Sequence, residues 1–176
     1  DDALKLIVKI SEGSVRDSLS LLDRGLMSNI DGSEFTLENA QKIYGYFDKS
    51  FLIELIEYLL KGDEKNVIKN YRKLFDAGIE PKSFLNDFLE VLYYIKNINS
   101  IRLEGKIFNL NDGEFKKILE IAEKTDPQEI ILFWQFTIKT IDELEIVSNP
   151  SLSVEMFLIR LIYLKGSKIK DDINNE

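Results

Sequence analysis

The sequence predicts an all-α fold, and two features of it support this prediction. Apolar residues recur at intervals of three and four along almost the whole of the 176 residues. Glycine, asparagine, aspartate and proline fall between these periodic segments, where they end one helix or start the next. No strand-like alternation competes with the helical period. We therefore expect nine helices, arranged as a small three-helix unit followed by a helical bundle.

The first three helices are predicted within residues 1–48. The first spans residues 2–12 and ends at Gly13, since glycine suits the left-handed turn after a helix. Ser14 and Thr36 stand where side-chain oxygens cap the second and third helices. The residues expected to face inward are Leu4, Ile7, Val8 and Ile10 in the first helix, Leu19, Leu22 and Leu26 in the second, and Ala40, Ile43 and Phe47 in the third.

A hinge at residues 48–50 is expected to separate this set from six further helices. The fourth spans residues 51–60 and the fifth residues 63–77, and the glycines at 62 and 78 end them. Pro81 occupies the first position of a long sixth helix, where its missing amide donor costs nothing. The residues expected on the inner sides are Val67, Tyr71, Leu74 and Phe75 in the fifth helix, and Phe84, Leu85, Phe88, Leu92 and Ile95 in the sixth.

The last three helices are predicted from their start signals. Asn111 with Glu114 starts the seventh, Asp126 before Pro127 starts the eighth, and Asn149 before Pro150 starts the ninth, which runs to about residue 164. The remaining residues, 166–176, are predicted to be a polar tail or linker.

The eighth and ninth helices are apolar on nearly all sides. The residues concerned are Ile130, Ile131, Leu132, Phe133, Trp134, Phe136, Ile138 and Ile141, and Leu152, Val154, Met156, Phe157, Leu158, Ile159, Leu161, Ile162, Tyr163 and Leu164. Such a helix must be covered over most of its surface. Two interpretations stay open: both helices are central in the bundle, or they contribute to an interface between subunits.

Composition excludes several kinds of chemistry. The chain has no cysteine and no histidine, so it offers no disulfide, thiolate nucleophile, imidazole base or ordinary zinc site. No Gly-x-x-x-x-Gly-Lys-[Ser/Thr] loop is present to bind nucleotide phosphates. The net charge of −8 favours protein partners over direct nucleic-acid binding. With no signal peptide or membrane-spanning stretch, a cytoplasmic location is expected. The first residues look like part of an ongoing helix, so we expect a piece of a longer protein.

Residues 12–23 are the most specific segment, reading Glu-Gly-Ser-Val-Arg-Asp-Ser-Leu-Ser-Leu-Leu-Asp. This segment resembles the Gly-Ser-x-Arg-Asp-Ala-Leu-Ser-Leu-Leu-Asp motif of the lids of AAA+ clamp loaders. The resemblance implies that Arg16 is the second-sensor arginine, which contacts the terminal phosphate of ATP from the start of a helix. A helix N-terminus and a guanidinium both favour phosphate. Ser18 stands where the motif usually has alanine.

The resemblance continues into the gamma/tau family of bacterial DNA polymerase III clamp-loader subunits. Residues 154–161, Val-Glu-Met-Phe-Leu-Ile-Arg-Leu, are similar to the Val-Glu-Met-x-Leu-Leu-Arg-Ala segment of that family's collar domain. Further matches are residues 36–48, 77–81, 126–130 and 133–135. The resemblance implies an AAA+ lid over residues 1–48 and an oligomerisation collar over residues 49–165.

This resemblance implies a function that depends on other parts of the loader. ATP is the expected cofactor of the full-length subunit, whereas none is expected for this fragment, which lacks the ATPase domain and should not hydrolyse ATP. The expected partners are further gamma/tau copies and the delta and delta-prime subunits, with the sliding clamp and primed DNA reached through the intact complex. The expected interface residues are Phe133, Trp134, Phe136, Met156, Phe157 and Arg160. The alternatives are the equivalent region of an AAA+ ATPase of recombination or repair, and a stand-alone helical adaptor.

Overall fold

A computed structural model describes residues 2–11, 13–28, 35–44, 49–104, 110 and 112–173. The described residues form nine α-helices and no strand, which confirms the all-α prediction. The helices are α1 (Asp2–Ile10), α2 (Val15–Ser28), α3 (Leu37–Tyr44), α4 (Lys49–Lys61), α5 (Glu64–Asp76), α6 (Pro81–Glu104), α7 (Asp112–Lys124), α8 (Pro127–Glu143) and α9 (Pro150–Ile173).

The chain divides into two compact units. The first consists of Asp1–Phe47 with Ala77–Ile79, and the second of Asp48–Asp76 with Glu80–Glu176. Helices α1 to α3 therefore belong to the first unit and α4 to α9 to the second. The assignment of residues 1–48 to a lid and 49–165 to a collar stays a prediction.

Side-chain caps form at the helix starts where the sequence places them. In each cap a side-chain oxygen accepts a hydrogen bond from a backbone amide of the first turn. The pairs are Ser14 Oγ with Asp17 N at 3.3 Å, Thr36 Oγ1 with Asn39 N at 3.2 Å, Asp126 Oδ1 with Gln128 N at 2.9 Å, and Asn149 Oδ1 with Leu152 N at 3.2 Å. Gly62 and Gly78 follow α4 and α5 with φ of +74° and +91°, a conformation that residues with a Cβ adopt only under strain.

The first unit has a small core centred on Ala3, Leu6 and Ala40. Ile10, Phe35 and Tyr44 pack against it. Helix α2 approaches this core through a glycine: a Cβ on Gly25 would lie 2.5 Å from Tyr44 Oη and 2.8 Å from Phe35 Cζ. The Tyr44 hydroxyl donates to the carbonyl of Leu21 at 2.6 Å.

Several predicted core residues of the first unit are on its surface instead. Leu4 and Val8 of α1 are 49% and 60% exposed, and Leu19 and Leu26 of α2 are 61% and 60% exposed. The inner face of α2 runs through positions 18, 21, 22 and 25, because only the glycine permits the close approach to Tyr44. That geometry turns the leucines at 19 and 26 outward. Phe47 lies outside the described residues.

The second unit is built around a chain of aromatic rings from α5, α6 and α9. Ring centroids lie 5.0 Å apart for Tyr71 and Phe84, 6.1 Å for Phe84 and Phe88, and 5.7 Å for Phe88 and Phe157. These four side chains are almost fully buried, as are Leu52, Leu55, Ile56 and Leu59 of α4. All the α6 residues expected on the inner side are buried, whereas Phe75 of α5 is 42% exposed.

Helix α9 is longer than predicted, since it continues to Ile173 instead of ending near residue 164. Residues 165–173 include three lysines, two aspartates and no proline. Lysine is a good helix former, and without a proline nothing sterically ends the helix. The end predicted for the ninth helix, near residue 164, was therefore wrong, whereas the polar tail or linker at residues 166–176 stays a prediction.

Candidate functional site

Arg16 lies at the start of α2, as its sequence position predicted. Its side chain is exposed, and it forms no ion pair within the described part of the chain. Ser14 caps the helix just before it by accepting from the Asp17 amide. An exposed guanidinium beside a helix N-terminus fits an anionic group such as a nucleotide phosphate. The geometry permits the sensor role that the resemblance implies, and that role stays a prediction.

Ser18, the departure from the family motif, makes hydrogen bonds of its own. Its hydroxyl lies 2.6 Å from the hydroxyl of Ser11 and 2.9 Å from the carbonyl of Ser14, and either serine can donate to the other. The Ser11 hydroxyl also lies 3.0 Å from the carbonyl of Val8, which is its acceptor when Ser18 donates to Ser11. These contacts join the end of α1 to the first turns of α2. Serine at position 18 therefore helps to hold the first turns of α2 against the end of α1.

An apolar stripe covers the outer surface of α2. Val15, Leu19 and Leu26 recur at helical spacing and are 74%, 61% and 60% exposed. We call this set the α2 stripe. Clustered exposed leucines and valines are typical of surfaces that another domain or protein covers.

Helix α8 has a buried side and an apolar exposed side. Phe133 is 0% exposed in the core, whereas Trp134 is 37% exposed and Phe136 is half-buried. Ile131 and Ile138 are 47% and 42% exposed and lie one turn before and one turn after Trp134. We call Ile131, Trp134 and Ile138 the α8 stripe.

Helix α9 repeats this arrangement. Phe157 is 1% exposed and packs on Phe88, whereas Met156 is 49% exposed. Leu152, Met156, Ile159 and Tyr163 follow one another at spacings of four, three and four, and we call them the α9 stripe. Leu152 and Tyr163 are 56% and 64% exposed.

The two stripes lie on different faces of the second unit. Glu143 of α8 faces α9, because its Oε2 lies 3.9 Å from Nη1 of Arg160. At 100° per residue, the members of the α8 stripe lie roughly 120° to 180° around the helix from Glu143. The α8 stripe is therefore turned away from α9, and the unit offers two apolar patches instead of one.

These positions change the set of expected interface residues. Phe133 and Phe157 belong to the core, where their rings are covered by the unit itself, so they contribute no surface to a partner. Trp134, Met156 and Arg160 are exposed and Phe136 is half-buried, so these four remain candidates. Sequence reasoning missed Ile131, Ile138, Leu152 and Tyr163 as surface residues. Their helical spacing was visible, but in a helix that is apolar on all sides it does not separate inner from outer positions.

A polar cluster lies near the start of α4. Lys49 Nζ is 2.7 Å from Glu90 Oε1, and the hydroxyl of the buried Tyr94 donates to the same carboxylate oxygen. Burial, with the hydrogen bond to Glu90, raises the pKa of Tyr94. Burial is also the main cause that raises the pKa of Asp87 to about 6, with repulsion by Glu90 second and the charge of Lys49 opposing it. This cluster ties α4 to α6 and holds no group arranged for catalysis.

Among the residues that the structure describes, no group of three or more acidic side chains is placed to hold a metal ion. No helix in the described ranges combines the length and the apolar character needed to cross a membrane.

Comparison with known proteins identifies the family. Residues 35–174 match the family model described as DNA polymerase III subunits gamma and tau domain III. DNA polymerase III subunit gamma of Buchnera aphidicola subsp. Baizongia pistaciae is 29% identical over 172 residues, which are 95% of this chain and 45% of that protein. DNA polymerase III subunit tau of Escherichia coli K12 is 26% identical over 161 residues, which are 91% of this chain and 24% of that protein.

The chain thus spans less than half the length of the curated relatives that it matches. The family model covers α3 to α9 and so takes in the polar cluster and both stripes of the second unit, while the Arg16 segment precedes it. This chain belongs to the family of DNA polymerase III gamma and tau subunits and carries their domain III.

Proposed function

We propose that this chain provides the lid and the collar of a clamp-loader subunit, with its second unit joining the subunit to its neighbours. The neighbours are further gamma or tau copies and the delta and delta-prime subunits, and the complex acts in the cytoplasm by placing a sliding clamp on primed DNA. Membership in the gamma and tau family supports this proposal over an AAA+ protein of recombination or a stand-alone adaptor.

The observation that carries the proposal is the pair of apolar stripes on separate faces of the second unit. A subunit that pairs with one identical copy needs a single self-complementary patch. A subunit within a ring needs two different patches, one for each neighbour. The α8 and α9 stripes, turned in different directions, supply two. Association therefore proceeds head to tail, with the α8 stripe of one subunit against the α9 stripe of the next.

Complementation between two variants tests this arrangement. Ile138→Glu damages only the α8 stripe and Met156→Glu only the α9 stripe. Each variant alone is expected to be monomeric in sedimentation equilibrium at concentrations where the unchanged chain associates. A mixture of the two should form a one-to-one heterodimer, because each variant keeps the face that the other needs.

Ile146→Glu is the matched control, since Ile146 is 85% exposed and belongs to neither stripe. This variant should associate like the unchanged chain. An unchanged chain that binds neither itself nor the delta and delta-prime subunits would contradict the assembly role. Association without complementation would contradict only the head-to-tail arrangement.

The lid part of the proposal gives Arg16 the role of an ATP sensor. When ATP is bound in the full-length subunit, its terminal phosphate is the group that the guanidinium contacts. The exposed α2 stripe supports a lid that packs against a further domain. In the full-length subunit, Arg16→Ala should lower ATP-dependent clamp loading. Arg24→Ala is the control, because Arg24 is an exposed arginine in the middle of the same helix. Equal loading by the Arg16 and Arg24 variants would refute the sensor role.

A further inference from the structure

Helix α5 has a row of lysines that the assembly role does not use. Lys65, Lys69 and Lys73 are exposed and recur every four residues, so they follow one face of the helix for about 12 Å. We call these three residues the lysine stripe. The side chains beside them include Ile68 and Arg72, and the acidic Glu64 and Asp76 stand at the two ends of the helix.

The lysine stripe is costly for an isolated helix. Like charges four residues apart destabilise a helix by about 0.2–0.5 kcal/mol per pair. No ion pair to these three ammonium groups occurs in the part of the chain that the structure describes. The chain has 31 acidic and only 23 basic residues, so carboxylates were available in the sequence to compensate them.

Arg72, which lies within the same face, differs from the lysines in this respect. Its Nε and Nη2 donate to Oε1 and Oε2 of Glu155 at 2.8 and 2.9 Å, so a carboxylate of α9 neutralises it. Arg72 therefore has a structural role, because it joins α5 to α9. The charges of the three lysines face solvent.

The residues on and beside the lysine stripe indicate which kind of nucleic acid it could bind. Lysines on a helix surface act as point charges for phosphate, and contacts to phosphate carry no information on base sequence. Proteins that hold single strands add aromatic rings on which bases stack. Here Tyr71 is buried, and Phe75 lies roughly 80° around the helix from Lys65, so no ring stands between the lysines. The face therefore suits the backbone of a duplex better than the bases of a single strand.

We propose that the lysine stripe of α5 contacts the phosphate backbone of double-stranded DNA. The choice of DNA over an acidic polypeptide rests on the proposed function, in which the subunit works beside a primed duplex. Three phosphate contacts contribute a slope of about −2.7 to the dependence of log K on log salt, which is roughly a 40-fold loss of affinity from 50 to 200 mM salt. The contact is therefore an auxiliary one, added to whatever else holds the DNA.

The test is a titration of the nitrogen-15-labelled chain with a 12-base-pair duplex at low salt, followed by amide chemical shifts. Shifts should concentrate in α5 and vanish in the Lys65→Gln, Lys69→Gln, Lys73→Gln variant. The matched control changes Lys116, Lys117 and Lys124 of α7 to glutamine, which alters the net charge equally on another helix. The control should keep the α5 shifts. Glutamine is a good helix former, so circular dichroism should show both variants folded.

Three results would overturn the proposal. They are amide shifts concentrated outside α5, an equal loss of the α5 shifts in the α7 control, and tighter binding of single-stranded DNA or polyglutamate than of the duplex. The variants also separate this proposal from the assembly role. The lysine variant should associate like the unchanged chain in sedimentation equilibrium, whereas Ile138→Glu and Met156→Glu should keep the α5 shifts.

Discussion

The ammonium group of Lys49, at the first residue of α4, lies 2.7 Å from the carboxylate of Glu90 in α6. The pair is partly shielded from solvent, with the Lys49 side chain 19% exposed and that of Glu90 39% exposed. Lys49 also lies 5.4 Å from the ring centroid of Tyr94, within reach of a cation–π interaction. These contacts fix the first turn of α4, where the second unit begins.

A double-mutant cycle on this pair should show a favourable coupling of about 1 kcal/mol, above the value usual for exposed ion pairs. Lys49→Met and Glu90→Gln are the changes, and glutamine keeps an acceptor for the Tyr94 hydroxyl. Urea unfolding followed by the fluorescence of Trp134, the single tryptophan, reports on the second unit. The control is the pair Lys82 and Glu145, whose side chains are 57% and 64% exposed, and it should show no measurable coupling. Equal coupling in the two pairs would contradict the role of shielding.

The carboxyl of Asp87 should make the stability of the second unit depend on pH. Its pKa of about 6 lies above the ordinary value of 3.8, so the folded chain holds this proton more tightly than the unfolded chain. The resulting stabilisation is complete below pH 3.8 and is lost as the pH rises through about 6. Asp87→Asn should therefore stabilise the second unit at pH 7 by about 1 kcal/mol, after allowance for partial solvent exposure, and by less at pH 4.

Comparison of the variant with the unchanged chain at each pH removes the contribution of the other carboxylates. Carbon-13 NMR of the Asp87 carboxyl measures the pKa directly. A stability difference that is the same at pH 4 and pH 7 would show that burial does not raise this pKa.

Gly25→Ala should destabilise the first unit, although alanine is the better helix former by about 1 kcal/mol. The added methyl would meet Tyr44 Oη at 2.5 Å and Phe35 Cζ at 2.8 Å, and overpacking of this kind costs about 1–3 kcal/mol. Hydrogen exchange of the α1 and α3 amides measures the effect within this unit. Gly113→Ala, at an exposed position of α7, is the control and should be neutral or stabilising. Unchanged protection in the Gly25 variant would contradict the close approach.

Two serines near Arg16 should differ in their importance. Ser14→Ala removes the cap of α2 and should cost about 1 kcal/mol. Ser18→Ala restores the residue of the family motif and should change stability by less than about 0.5 kcal/mol, because Ser11 keeps the Val8 carbonyl as its acceptor. Hydrogen exchange of the α2 amides measures both variants. A larger loss of stability from Ser18→Ala than from Ser14→Ala would contradict this prediction.

Local signals in the sequence predicted the helix starts well. The caps at Ser14, Thr36, Asp126 and Asn149 depend on residues within three positions of each other, and all four form. The inner face of α2 could not be predicted in this way. It depends on the fit of Gly25 against Tyr44, which is a contact between distant parts of the chain.

The candidate interface shows the same limit. An apolar pattern predicted that α8 and α9 are mostly covered, but not which residues face the core. Packing placed Phe133 and Phe157 inside and left Trp134 and Met156 at the surface. The lysine stripe is not apparent from the composition, because the net charge of −8 describes the whole chain and hides a local concentration of positive charge.

The aromatic core of the second unit can be completed only after the last helix has been synthesised. The hydroxyl of Tyr71 donates to Ser151, 80 positions later, and Phe88 packs on Phe157. During synthesis, α5 and α6 emerge long before the residues of α9 that cover them. Until α9 arrives, the rings of α6 lack their last neighbour, and nascent chains that stop before Pro150 expose an aromatic surface to chaperones. The final helix is therefore the one whose translation closes the second unit.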